Sequence, residues 1–539
     1  MAEQHTPAPE TVRVTIDGIE LQVPKGTRIL DAAARAGVEV LHYCYHPELS
    51  APAQCRMCLV ELEKAPKLVP ACVTTVADGN VIWTNSEKAL KSREGTLEFY
   101  LVNHPLDCPV CDQSGECALQ DYTAAEGRDM GRLHEPKRIF GRDDFGGDVL
   151  YEGDRCIMCT RCVRFMREVA QDERLAIVQR GHRNVIDTFY DEGLEGNLWA
   201  GNVVDICPVG ALLSKDFLHK ARAWDLDRVP AVCPNCSQGC NVTLQTRDNE
   251  VMRLKPRPNM EVNSHWMCDY GRLNYQWINR SGRIEAPLLR EGERYVPASW
   301  SDAMTRLLEL ARGTAAGVRA VVSPFLANED LGALRRIMAA LGDGEGVFRC
   351  ETGDEVPCPG FPTLALRQDR AANVRGAELL GYTRTGDGAG KGGLQALAAH
   401  AGTLLVLGDE LADQDEGFGR DARLFVYVGT HLSPAARNAH VVLPATTFAE
   451  MEGTFTNVQN RVQRFWPALQ VPSMARPAWQ ILGVLHAGLT GGTAPATPAD
   501  AYALLAELRS EFGAFGYGEL GSWGRVLPGA RALAEAAGD

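Results

Sequence analysis

Cys44, Cys55, Cys58 and Cys72 are followed along the chain by His104, Cys108, Cys111 and Cys117, then by Cys156, Cys159, Cys162 and a remote Cys207, then by Cys233, Cys236, Cys240 and Cys268. Fifteen of the seventeen cysteines and one histidine thus sort into four sets of four. Thiolates two or three residues apart can address one centre, and soft sulfur donors select zinc, Cu(I) or iron–sulfur clusters. Four sets in one chain point to a row of redox centres. Cys350 and Cys358 stand outside the sets and are expected to be ordinary reduced thiols.

Each set has its own frame. Val12, Val14 and Ile16 alternate, Asp17-Gly18 offers a turn, and Ile19, Leu21 and Val23 alternate again, which predicts a hairpin. A helical pattern from Ile29 to Ala36 stops at Gly37, and a cysteine-bearing loop follows. This order resembles the β-grasp of two-iron ferredoxins, with a longer first gap than the plant-type Cys-x4-Cys-x2-Cys spacing. The second set, in NHPLDCPVCDQSGEC, has three thiols and His104. A neutral imidazole in place of a thiolate makes a cluster less negative and raises its potential. Replacing His104 by Cys is therefore expected to keep the iron and lower that centre's midpoint. An unchanged midpoint in a redox titration would remove His104 from the ligand set.

The third set repays counting. A bacterial ferredoxin half-site is C-x2-C-x2-C-x3-C-P, and its fourth cysteine serves the other cluster of a two-cluster protein. Cys156, Cys159 and Cys162 begin one half-site whose fourth position is Met166; Cys207-Pro208 ends another whose earlier positions are Asn197, Ala200 and Val203. One complete set survives, so the segment reads as a two-cluster ferredoxin reduced to one four-iron centre. The fourth set resembles the cluster domain of molybdopterin oxidoreductases such as formate dehydrogenase, in which a lysine usually stands where Tyr270 sits. A zinc ribbon is its competitor.

The supporting elements divide the chain. At 539 residues several domains are expected. Composition shifts near residue 285: beyond it the chain is rich in Ala, Gly and Leu, and strands around Arg319 to Val322, Leu404 to Leu407 and Leu424 to Val428 alternate with helices such as Leu331 to Leu341. That predicts an α/β layer with a largely parallel sheet. A Gly/Thr/Pro/Ala stretch between Leu489 and Pro498 reads as a linker before helical stretches around Ala501 to Phe512 and Ala530 to Ala537. The expected divisions are a flexible start (1–10), a two-iron ferredoxin-type domain (11–92), a four-iron domain with one histidine and three cysteine ligands (93–135), a ferredoxin-like four-iron domain (136–225), a molybdopterin-oxidoreductase-type four-iron domain (226–285), an α/β region (286–488), and a linker with C-terminal helices (489–539).

Other chemistries find little support. The formal net charge of −14 disfavours a phosphate-binding surface, and iron–sulfur proteins of DNA metabolism with it. No apolar run reaches the roughly 18 residues of a membrane span, and MAEQHTPAPE shows no export signal, so the thiols are expected reduced in the cytoplasm. The run Gly386 to Gly392 fails the P-loop pattern, because Thr385 replaces its first glycine and Gly392 follows Lys391. No catalytic base, nucleophile or dinucleotide fingerprint is evident.

The ligand order, together with HPLDCPVCDQSGECALQD, RCIMCTRCVRFMRE, GNVVDICPVGAL and ATTFAEMEGTFTNVQNRVQ, closely resembles the large iron–sulfur subunit (G-type, 75 kDa-type) of respiratory complex I, NADH:quinone oxidoreductase. The resemblance implies one 2Fe-2S cluster on Cys44, Cys55, Cys58 and Cys72, and 4Fe-4S clusters on the other three sets. It implies electron relay from a flavin-bearing, NADH-oxidising partner through this and other iron–sulfur subunits toward quinone. It further implies a C-terminal molybdopterin-oxidoreductase-like α/β fold, reduced and without molybdopterin, and a peripheral place on the cytoplasmic side of a bacterial inner membrane. In such subunits the fourth centre stands off the main route, so a structural role suits it as well as conduction. The alternatives are a molybdopterin-bearing subunit of a NAD-linked formate dehydrogenase, an iron hydrogenase, or a metal-stabilised scaffold without redox duty.

Overall fold

The computed structural model describes residues 10–188, 191–312, 317–386 and 393–529. The chain forms two compact units, 1–225 and 226–539.

The first unit opens with the expected hairpin. Strand Thr11–Ile16 pairs antiparallel with Ile19–Pro24, and Asp17 and Gly18 both take positive φ (47° and 84°), the two-residue turn whose twist suits adjoining strands. Val12, Val14 and Ile16 face inward. Helix Ile29–Arg35 packs Ile29, Leu30, Ala32 and Ala33 into the same core, and Gly37 at φ 74° lets the chain turn away. The sheet runs in the order Ile19–Pro24, Thr11–Ile16, Asn80–Trp83, Leu59–Leu62, Val69–Pro70, with Thr11–Ile16 and Asn80–Trp83 parallel, as a β-grasp requires. Helix Glu87–Leu101 starts at Ser86, whose side chain accepts from Ala89 N. Its Arg93 is buried and pairs with Glu126 of helix Ala118–Glu126. The ferredoxin-like remainder is built from sheet Arg142–Asp144, Val149–Glu152 and Leu212–Ser214, with helices Arg161–Glu168 and Asn202–Ile206.

The second unit begins with a three-stranded antiparallel sheet, Asp227–Val232, Asn241–Arg247 and Glu250–Pro256. Its body is an eight-stranded sheet in the order Arg294–Pro297, Leu288–Glu291, Val441–Pro444, Leu424–Gly429, Thr403–Leu407, Val318–Val322, Gly344–Phe348, Thr383–Arg384. All pairings are parallel except the two made by Leu288–Glu291, an antiparallel hairpin edge that the sequence did not announce. Both faces are covered: Leu405, Leu407, Val426 and Val428 enter one core, while Leu404, Val406, Phe425 and Tyr427 enter the other. That is why these strands read as unbroken apolar runs.

The C-terminal residues join this body. Helix Ala478–Thr490 ends at Gly491 (φ 77°). Instead of one helix over Ala501 to Phe512, the chain makes short pieces, Pro498–Ala503 and Leu505–Leu508, then a 3-10 segment, Ser510–Ala514. Leu505, Phe512, Leu520 and Leu527 enter the main core, and Arg525–Val526 pairs with Arg461–Phe465. The expected stretch Ala530 to Ala537, the start of the chain through residue 9 and most of the 386–392 run lie outside the described residues.

Two buried carboxyls make the stability of this unit pH-dependent. Glu329 accepts from Thr454 N (2.9 Å) and Oγ1 (2.8 Å), and Asp330 from Trp479 N (2.8 Å) and Ala327 N (3.2 Å). Burial nevertheless pushes them up to about 8 and about 7. The folded form therefore holds protons that the unfolded chain has released, so stability is full below pH 4 and is lost as pH rises through 7 to 8. Thermal unfolding at pH 6 and 8.5 should show a loss of about 2–4 kcal/mol at the higher pH, reduced in Glu329→Gln. A flat profile would contradict this.

Candidate metal centres

The first set lies on the loop after helix Ile29–Arg35 and the turns flanking strands Leu59–Leu62 and Val69–Pro70. All four thiols are buried, and they lie near enough to act on one another's ionisation. Their mutual interaction lowers the pKa of Cys44 and Cys58 and raises that of Cys55 and Cys72. Ala53 and Arg56 take positive φ (54° and 60°), which coils the loop around Cys55.

The second set follows helix Glu87–Leu101. Cys108 opens a 3-10 turn and is exposed, Cys111 is buried, and Cys117 caps helix Ala118–Glu126. Burial first, then the charges of Arg155 and Lys137, lower the pKa of His104 to about 4, so its ring is neutral and able to ligate.

In the third set, Cys156, Cys159 and Cys162 lead into helix Arg161–Glu168, and Cys207 ends helix Asn202–Ile206. Each of the other three sulfurs raises the pKa of Cys162, after burial as the larger cause. Met158 and Thr160 take positive φ (53° and 62°), and Met158 N lies 3.4 Å from Cys156 Sγ. Where the lost second cluster of a two-cluster ferredoxin would find ligands, Met166, Ala200 and Val203 are buried apolar residues, at most 2% exposed. Asn197 instead bonds Asp172 at 2.7 Å.

The fourth set belongs to the second unit. Cys233 and Cys240 flank the turn between strands Asp227–Val232 and Asn241–Arg247, and Cys268 caps helix Asp269–Leu273, accepting from Gly271 N at 3.3 Å. Burial pushes Cys233 up to about 12 and Cys240 and Cys268 well above the ordinary thiol value, with the neighbouring sulfurs adding to it.

These donor sets fit metal clusters. In the third and fourth sets, buried thiols held together resist ionising unless a cation compensates them, and metal binding supplies that compensation. Two glycines leave room at the sulfurs. A Cβ on Gly271 would stand 3.0 Å from Cys233 Sγ and 3.5 Å from Cys268 Sγ; one on Gly210 would collide with Cys111 Sγ and stand 3.1 Å from Gln113 Cβ. Gly210→Ala should therefore cost the second set its irons, about four per chain, and leave the others; unchanged iron would contradict this. Among the described residues no three His, Cys, Asp or Glu converge as they would on a single ion. A cluster spreads its ligands over several irons. Cys350 and Cys358 join no set; both are buried, which pushes each up to about 12.

Several side chains the spacing did not single out tie the first three sets together. Arg164 donates to the carbonyls of Cys44, Ser50 and Cys159. Arg161 reaches Tyr45 O (2.5 Å) and Ile206 O (3.2 Å), and Gln54 reaches Met158 O (2.8 Å). Arg155 and Gly210 connect the third set's segments to Cys111. The arginines inside RCIMCTRCVR were the only hint.

The second unit also holds a cavity of about 520 Å³ at the carboxyl ends of the parallel strands, lined by Ser323, Arg349, Gly408, Gly429 and Thr446, where doubly wound folds bind ligands. Three of its four arginines are committed: Arg349 pairs with Glu410 and Asp413, Arg283 with Glu450, and Arg370 serves the carbonyls of Arg367 and Asp354 while lying 5.3 Å over the Tyr270 ring. Asp409, Glu410, Asp413 and Glu351 share the lining. A molybdopterin carries a phosphate, and three of the four lining arginines are already committed, leaving Arg280.

Family models match five segments: a 2Fe-2S iron-sulfur cluster binding domain over 9–87, the NADH-ubiquinone oxidoreductase-G iron-sulfur binding region over 93–132, the ferredoxin-like domain of NADH-quinone oxidoreductase subunit 3 over 146–213, the molybdopterin oxidoreductase Fe4S4 domain over 226–280, and molybdopterin oxidoreductase over 368–487. These modules define the class, an iron–sulfur protein of ferredoxin-type domains joined to a molybdopterin-oxidoreductase-type α/β body. The chain is 37% identical over 333 residues to the NADH-quinone oxidoreductase G subunit of Rickettsia felis, covering 61% of this chain and 49% of that one. It is 44% identical over 298 residues to the NADH-ubiquinone oxidoreductase 75 kDa subunit of Reclinomonas americana (55% and 43%), and 39% over 370 to the mitochondrial 78 kDa subunit of Candida albicans (68% and 49%). Within that class, then, the chain is a homologue of the large iron–sulfur subunit of NADH-quinone oxidoreductase. It spans about half the length of the relatives it matches.

Proposed function

We propose that this chain is an electron-relay subunit of an NADH:quinone oxidoreductase. It takes electrons from a flavin-bearing, NADH-oxidising partner and passes them through its own centres toward further iron–sulfur subunits and quinone. Cys44, Cys55, Cys58 and Cys72 hold a 2Fe-2S cluster; the sets of His104, Cys156 and Cys233 each hold a 4Fe-4S cluster, and no molybdopterin is bound. The clusters supply one-electron carriers, and the protein's part is to bury, space and tune them. The chain works at the cytoplasmic face of a bacterial inner membrane through its partners, in keeping with the fact that no helix among the described residues is long and apolar enough to cross a membrane.

The observation that carries this reading is the linkage of three donor sets inside one unit, where Arg164 spans the first and third and Arg155 the third and second. A scaffold does not need its metal sites chained in this way. Metal and sulfide analysis of protein purified anaerobically from its native host tests it: about fourteen irons per chain, without molybdenum, are expected. Molybdenum near one per chain would turn the reading toward a formate-dehydrogenase-type subunit, and zinc in place of iron toward a scaffold.

A further inference from the structure

Arg155 is 6% exposed and stands directly before Cys156. Its guanidinium Nε and Nη2 donate to Asp107 Oδ2 at 3.0 and 2.9 Å, and its charge acts on Cys111. Its Cδ would lie 3.7 Å from a Cβ on Gly210, the residue in contact range of Cys111 Sγ. Its charge also acts on His104. One residue thus meets the second set at His104 and Cys111 and belongs to the ligand loop of the third. The pair it forms is unequal: the Arg155 side chain is 7% exposed and Asp107 40%. Asp107 directly precedes Cys108, so both ends of the pair lie beside the second set, and water screens the carboxylate more than the buried guanidinium.

We infer that Arg155 is a positioning residue that sets the reduction potential of the His104 centre; this rests on the cluster reading given above. Reduction adds one negative charge to the cluster, and a fixed cation nearby stabilises that state and raises the midpoint. Asp107 opposes it from the solvent side. The two residues should therefore move the midpoint in opposite directions, which a purely structural role would not do.

The test is an EPR-monitored redox titration of the assembled complex carrying Arg155→Met, Arg155→Lys or Asp107→Asn, with the second centre's signal identified as the one whose midpoint falls in His104→Cys. Arg155→Met should lower that midpoint by on the order of tenfold in the reduction equilibrium, about 59 mV for one electron. Arg155→Lys should restore most of the loss, and Asp107→Asn should raise the midpoint. If Arg155→Met fails to assemble, the rise in Asp107→Asn decides the matter. Signals present with midpoints unmoved in Asp107→Asn and Arg155→Lys, or moved in the same direction by Asp107→Asn and Arg155→Met, overturn the inference while leaving the cluster reading intact. Absence of the second four-iron signal from the unaltered complex overturns both.

Discussion

Arg164→Met should destabilise the 1–225 unit by about 4 kcal/mol, because several hydrogen bonds from a charged donor disappear together. Arg164 is 4% exposed. Its guanidinium serves the carbonyls of Ser50, Cys44 and Cys159, with Cys159 O at 3.3 Å and Thr160 Oγ1 also at 3.3 Å. Methionine fills much of the volume and satisfies none of those acceptors, and each buried carbonyl left bare costs about 1–3 kcal/mol. Two of the acceptors belong to cysteines of different sets, so the EPR lines of the first and third centres should both broaden. Denaturant unfolding of the full chain measures the loss, with Arg167→Ala, an exposed neighbour, expected within about 0.5 kcal/mol of the parent. A loss under about 1 kcal/mol in Arg164→Met would show that the clamp is not structural.

Cys207→Ala should abolish electron flow to quinone. Cys207 arrives from a different helix than its three partners and completes the third set, which touches the first through Arg161 and Arg164 and the second through Gly210 and Arg155. On the proposed relay, the third centre is the middle link. Its loss, about four irons per chain, should leave NADH oxidation by an artificial acceptor at the partner's flavin intact while quinone reduction falls to background. Persistent quinone reduction in a protein shown to lack those four irons would place the third set off the route.

The candidate donor sets are read from short-range patterns, the Cys-x2-Cys repeats and the Cys-Pro pair. The hairpin at Asp17-Gly18 and the buried parallel strands were legible for the same reason, since a turn pair and a run such as Leu404 to Leu407 carry their own signal. What spacing could not show is contact between segments far apart in sequence. Gln54 meeting Met158, Gly210 lying against Cys111, and Arg525–Val526 pairing with Arg461–Phe465 each join residues between 60 and 110 positions apart. The terminal segment read as a linker and a helix because its apolar residues, Leu505, Phe512, Leu520 and Leu527, are spread too thinly for a period. They make sense only against the core they complete.

The most direct test of the central claim is freeze-quench EPR of the assembled complex mixed with NADH. Relay through this chain predicts that its two-iron signal and the signals of the His104 and Cys156 centres appear within a single turnover, and that Cys207→Ala interrupts their reduction beyond the third centre. Centres that stay oxidised while quinone is reduced at full rate would contradict it.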